Sequence, residues 1–215
     1  YNNTSDTVYL NNYALAQTQS SAYGCYENWF PFPSGAFIAP EDAYVVMSTG
    51  EYSEMADYYN PSMFLTGDDG VALVYTESSS LYSVNNCGSY GNWYTDYIVL
   101  DRIGDFNGDP GTGWSVGSTY NATYYNTLVR KCNISEGNPD WSSSAGTSAS
   151  NSEWDVYSNN QWSIYEQMGI HENCYDVAGC TDQTMWNYCS YCPFDDGSCI
   201  PFILGCSDEA AFNYD

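Results

Sequence analysis

The sequence predicts an all-β protein: a sandwich of short strands over residues 1–157, then a small disulfide-rich repeat module. Three observations carry this expectation. Runs of β-branched and aromatic residues are short and bounded by Gly, Pro, Asn and Ser. No segment sustains a helical hydrophobic period. Nine cysteines are present, and four of them crowd between residues 180 and 199, too dense for anything but covalent stapling of a segment with little aliphatic core.

Taken in order, "TVYLNNYALA" (7–16) and "AFIAPEDAYVVMS" (36–48) read as strands. "MFLTGDDGVALVYT" (63–76) reads as two strands joined through Gly67-Asp68-Asp69-Gly70, a hairpin-type turn. "DYIVLDRIGDF" (96–106), "NTLVRKCNI" (126–134) and "SEWDVYS" (152–158) complete a set of six or seven, the number and spacing of a β-sandwich. The long aromatic loops "AYGCYENWFPFPSG" and "NNCGSYGNW" need support, which a Cys25–Cys87 bridge would supply, leaving Cys132 to reach Cys174. Spacing does not fix that connectivity. Residues 159–178 read as a tail laid on the sandwich through Trp162, Ile164, Tyr165 and Met168. The expected division is a sandwich over 1–172, a cysteine-rich repeat over 173–200, and a linker with the start of a second repeat over 201–215.

Charge narrows the partners. Against 27 acidic residues stand only Arg102, Arg130 and Lys131, a net charge of −24. Such a chain repels phosphate backbones and anionic lipid, so neither nucleic acid nor a membrane surface is an expected partner. No apolar run approaches the ~18–20 residues of a membrane span, so membrane insertion is not expected either. One histidine, His171, and one CxxC, Cys189–Cys192, do not make a structural zinc site. Disulfides in an oxidising compartment are the expected use of Cys25, Cys87, Cys132, Cys174, Cys180, Cys189, Cys192, Cys199 and Cys206, the ninth cysteine finding its partner beyond Asp215. Sequons at Asn2, Asn3, Asn121 and Asn133 agree with secretion to the extracellular space or cell surface and with covalent N-glycans, only one of the adjacent Asn2 and Asn3 being modifiable at a time.

Two phrase sets carry a family resemblance. "YNNTSDTVYLNNYAL", "FIAPEDAYVVM", "LTGDDGVALV", "IGDFNGDPGTGW", "NTLVRKCNISEGNPDW" and "SEWDVY" run in an order that resembles the lamin tail domain of secreted microbial proteins. That resemblance implies an immunoglobulin-like β-sandwich. The family begins with one more strand ahead of Tyr1-Asn2, which implies that the strand comes from upstream chain or from a neighbouring subunit by strand addition. "GCTDQTMWNYC" (179–189) and "GCSDEAAFNYD" (205–215) are two copies of one phrase. With "DDGSC" they resemble a short repeat found in tandem on large extracellular proteins of marine bacteria and microbial eukaryotes. The 215 residues then read as a window on a longer chain. The resembling repeat often has Cys just before its "NY", where Trp186 stands here, with Cys189 and Cys192 following instead.

Chemistry-bearing constellations are few. His171 is alone, no nucleophile elbow or phosphate loop occurs, and acidic pairs are too common to single one out, so no enzyme is expected. Asp101, Asp105, Asn107 and Asp109 in "DRIGDFNGD" place alternate oxygens as a calcium loop does, without the closing bidentate Glu; the competing reading is plain turn formation. Trp29 and Trp93, in the cysteine-bearing loops, are the candidate contact surface for a protein or glycan partner. Arg130-Lys131, the one basic pair, is expected to bond within its own domain. The function these features imply is a non-enzymatic extracellular structural glycoprotein, a repeating subunit of a surface appendage or filament joined to copies of itself by strand or tail exchange. The alternative is an accessory module of a larger secreted protein, binding glycan, calcium or a cell surface.

Overall fold

The computed structural model describes residues 1–19, 26–48, 53–63, 65–77, 97–106, 108–158, 169–171, 178–189, 192 and 195–202 of the chain. Two compact units divide it, Tyr1–His171 and Glu172–Asp215. The described secondary structure is all-β but for one 3-10 turn and one five-residue helix.

In the larger unit the strands are β1 (Val8–Tyr9), β2 (Tyr13–Thr18), β3 (Asn28–Pro31), β4 (Phe37–Ile38), β5 (Val46–Met47), β6 (Tyr58–Tyr59), β7 (Gly70–Tyr75), β8 (Ile98–Ile103), β9 (Asn126–Arg130) and β10 (Trp154–Ser158). The main sheet is antiparallel in the order β3-β2-β7-β8; β1 pairs with β4, β5 with β6, and β9 with β10. Side-chain alternation explains the main sheet. On one face the register sets Ala14 opposite Val74 and Ala16 opposite both Ala72 and Trp29, a floor of small side chains. Rings fill the space above it: Tyr26 lies 4.3 Å from Phe106 and 5.2 Å from Trp29, all against the same cluster.

A second core sits under the β9–β10 ribbon and gathers Val116, Ala122, Trp141, Ala145 and Trp154, with Ile103 of β8 and Leu128 and Val156 packed against it. Its helix α1 (Trp141–Ala145) lay unread in a Ser-rich stretch. The signal was Asp140, whose Oδ1 accepts from the backbone N–H groups of Ser142 (3.0 Å) and Ser143 (3.2 Å) as an N-cap. A bond from the Ser142 hydroxyl, with these backbone bonds, holds the Asp140 carboxyl below its ordinary pKa.

Several expected strands are cut shorter. The 7–16 run breaks at Asn11-Asn12, where Tyr13 N–H donates back to Leu10 C=O (3.0 Å), so β1 and β2 enter different sheets. The 36–48 run breaks at Glu41, which takes a positive φ of 56°. The expected hairpin at 63–76 yields one strand, β7, among the described residues. Its turn is tied off by the Asp69 carboxylate accepting from Thr66 N–H at 2.6 Å. The tail anchors Trp162, Ile164, Tyr165 and Met168 lie outside the described residues.

Candidate functional site

The β9–β10 ribbon is anchored through one side chain and, among the described residues, pairs with no third strand at either outer edge. Arg130 supplies the anchor. Its guanidinium donates to Asp101 on β8 (2.7 Å) and to Glu153 (3.1 Å), and stacks 4.1 Å over the Trp154 ring. Asp101 also accepts from the N–H of Asn138 (2.9 Å), while Glu153 accepts from the Asn138 side chain (2.7 Å). Lys131 Nζ donates to the carbonyls of Ala149 (2.6 Å) and Ser152 (2.7 Å). Arg102 lies 4.7 Å from the Phe106 ring and 3.9 Å from Asp105. The three cations are thus engaged within their own unit, as the basic-pair reading expected for Arg130 and Lys131.

Of the two, the outer edge of β10 is the one bordered by a groove. Val156 pairs with Leu128, and the bond from Lys131 N–H to Glu153 C=O (2.8 Å) sets the ladder's phase. In that phase Asp155 and Tyr157 exchange hydrogen bonds with β9, and the N–H and C=O of Val156 point away from it. No described residue bonds to those outward groups. Alongside runs a groove of about 270 Å³ lined by Val116, Gly117, Thr119, Ala149, Val156 and Tyr157 among others. The groove's own turn is already satisfied, since Val116 and Thr119 bond each other (3.1 and 2.9 Å). Such an edge can take up an extended backbone, and its lining carries one carboxylate, Asp155, and one phenol, Tyr157. "SEWDVYS" is legible as a strand; that no third strand among the described residues pairs with its outer edge is not, because it depends on residues far away in the chain.

The four sequon asparagines fall in different environments. Asn2 is 4% exposed, and its Nδ2 donates to the carbonyls of Asp6 (2.8 Å), Ala39 (3.0 Å) and Ile38 (3.2 Å). Its amide is a structural clamp, which departs from the expected acceptor role. Asn3 is exposed and donates to the Ser135 carbonyl at 2.8 Å. Asn121 sits at a positive φ of 52° with Oδ1 shut away from solvent. Asn133 is exposed on the turn after β9.

The calcium set does not converge. Asp101 Oδ1 is occupied by Arg130, Asn138 and Arg102 N–H; Asp105 Oδ1 caps Phe106 N–H (2.6 Å); Asp109 Oδ1 caps Gly111 N–H (2.7 Å). Each carboxylate is a turn former or an ion-pair partner, and Asn107 lies outside the described residues. Among the described residues no three His, Cys, Asp or Glu side chains are grouped so as to hold a metal ion. Trp29 is half-buried and packs edge-on against Tyr26 and Tyr97 at the margin of the first core. Trp93 lies outside the described residues.

Of the cysteines, Cys132 is disulfide-bonded, and its expected partner Cys174 lies outside the described residues, as do Cys25, Cys87 and Cys206. In the smaller unit Cys180 pairs with Cys199 and Cys189 with Cys192. The kept residues of the repeat have local reasons. A Cβ on Gly179 would lie 2.7 Å from Cys192 Sγ. Asp182 Oδ1 accepts from Thr184 N–H (2.9 Å), and Asn187 ties its loop to Ser198 C=O and Ile200 N–H (both 2.7 Å). Trp186 stands 68% exposed. Among the described residues no helix is long and apolar enough to cross a membrane. Comparison with protein-family models, curated proteins and solved structures finds no match for the chain.

Proposed function

We propose that the chain is part of a non-enzymatic extracellular structural glycoprotein, whose larger unit is an immunoglobulin-like sandwich of lamin-tail type and whose smaller unit is a tandem-repeat module. In this reading copies join by passing an extended segment along the open edge of β10, building a surface appendage or filament. The observation that supports it is the outward-facing Val156 backbone beside its groove, in a β-protein held by disulfides. Strand addition at such an edge supplies main-chain hydrogen bonds without any catalytic group. A heterologous contact of this kind propagates as an open fibre. Disulfides point to an oxidising compartment.

The test is assembly of the intact chain, followed by sedimentation and electron microscopy. Because a net charge of −24 opposes self-association, assembly is expected to strengthen as salt screens it. Val156→Pro removes the outward N–H and trims the side chain's contact with the second core, leaves the β9 ladder intact, and is expected to stay folded yet remain monomeric. Wild-type chains that stay monomeric at high concentration and high salt would overturn the proposal, as would a Val156→Pro chain that assembles normally. The exposed Trp186 favours a second reading, an accessory module that stacks the indole on a glycan; a flat glycan array with this chain would dispose of it.

A further inference from the structure

Four asparagines carry the acceptor pattern, and their surroundings separate one from the rest. Asn2 spends its amide hydrogens on three backbone carbonyls, and its Oδ1 accepts from both Thr4 N–H (3.1 Å) and the Thr4 hydroxyl (2.7 Å). A sugar on that nitrogen would replace one of its hydrogens inside a site that is 4% exposed. Asn121 adopts the left-handed conformation, which suits Asn for conformational reasons alone. Its Oδ1 is enclosed, Ala122 beside it is fully buried, and its sequon hydroxyl, Thr123 Oγ1, accepts from Trp114 N–H (2.7 Å) while donating to Gly67 C=O. Asn3 is exposed, but its amide bonds the Ser135 carbonyl and so pins the amino-terminal segment to the turn after β9.

Asn133 differs on each count. It is exposed, and neither its amide nor the Ser135 hydroxyl bonds any described residue. The turn that carries it is rigidly rooted: Ile134 N–H donates to Lys131 C=O (2.9 Å), Lys131 is tied to Ala149 and Ser152, and Cys132 is disulfide-bonded. Asn3 reaches that same turn, so a saccharide on Asn133 would crowd one on Asn3.

We infer that Asn133 is the glycan acceptor of this chain, and that Asn2, Asn3 and Asn121 are structural asparagines whose sequons stay bare. The transfer forms a bond from Asn133 Nδ2 to the anomeric carbon of a lipid-pyrophosphate-linked saccharide. The bond from that carbon to the pyrophosphate oxygen breaks, the lipid pyrophosphate leaves, and the amide gives up one proton. The inference rests on the extracellular reading above.

The experiment is a non-reducing peptide map of the full-length protein from its native source, with glycan release in heavy-oxygen water so that each formerly glycosylated Asn is left as a labelled Asp. Closed disulfides with label at Asn133, and none at Asn2, Asn3 or Asn121, is the expected result. Closed disulfides with Asn133 bare, or with label at Asn2, Asn3 or Asn121, would overturn this inference and leave the extracellular reading standing. Free thiols throughout would overturn both. In a eukaryotic secretory host that labels Asn133, Ser135→Ala is expected to abolish the label while the chain is secreted at an unchanged yield. Retention of the sugar in that variant would count against sequon recognition at this turn.

Discussion

Replacing Arg130 by Ala tests whether one guanidinium holds the ribbon onto the main sheet. The Arg130 side chain is 13% exposed, and its partners Asp101 and Glu153 are 30% and 19% exposed, so all three charges are largely withdrawn from water. Removing the cation strands two carboxylates that no other described cation approaches as closely. A fully exposed pair would be worth ~0–1 kcal/mol, and breaking a fully buried one costs ~3–5 kcal/mol. At these exposures the lower end of the second range applies, about 3 kcal/mol. Loss of the stacking on Trp154 at 4.1 Å adds about 1 kcal/mol. For a unit of this size the total lowers Tm by roughly 10 °C. Arg130→Lys keeps the charge but cannot fork to both carboxylates, so it should lose about half as much. Urea unfolding followed by tryptophan fluorescence reads both variants, Trp154 lying under the mutated side chain. An Arg130→Ala chain within ~1 kcal/mol of wild type would refute the reasoning, because the charges would then be behaving as solvent-screened surface groups.

Three further outcomes are expected. Asp69 is 6% exposed, and burial raises its carboxyl above the ordinary value of 3.8, against the opposing bonds from Thr66 and Gln17. The folded state thus binds that proton more tightly than the unfolded chain does. The group's stabilising contribution is complete below pH 3.8 and is lost as pH rises through the raised value. Wild type should therefore gain stability relative to Asp69→Asn on acidification, and a pH-independent gap between them in urea midpoints would contradict this. Gly104→Ala places a Cβ 2.6 Å from Trp114 Nε1 at a φ of +83°, which should cost about 2–4 kcal/mol in a thermal melt; a loss under ~1 kcal/mol would mean that the end of β8 yields. The Cys180–Cys199 bridge spans 19 residues and Cys189–Cys192 only 3, so opening the first with Ser pairs should destabilise the small unit by roughly 3 kcal/mol and the second by roughly 2. Limited proteolysis checks the order, and faster cleavage of the Cys189→Ser/Cys192→Ser chain would reverse it.

The sequence by itself determined what depends on neighbours along the chain. Alternation in "YALAQT" and "GVALVY" makes these strands, and it does so without reference to the sheet they join. Cysteine density from residue 180 onward demands staples, because so short a stretch cannot bury enough surface. The turn chemistry of Asp109 and Asp182 is equally local, each side chain capping an N–H two residues on. Tertiary structure decided everything that turns on distant partners. Asn2 and Asn3 share one local context, yet one clamps three carbonyls in the interior while the other reaches Ser135 at the surface. Asp101 lies in an oxygen-rich loop by sequence, yet its Oδ1 accepts from Arg130, 29 residues away. Trp29 looked like a surface residue until its pairing with Ala16 turned the ring onto the aromatic cluster. The open edge of β10 has the same origin, since a strand carries no mark of which side its neighbours will leave bare; only the packing of the completed fold determines that.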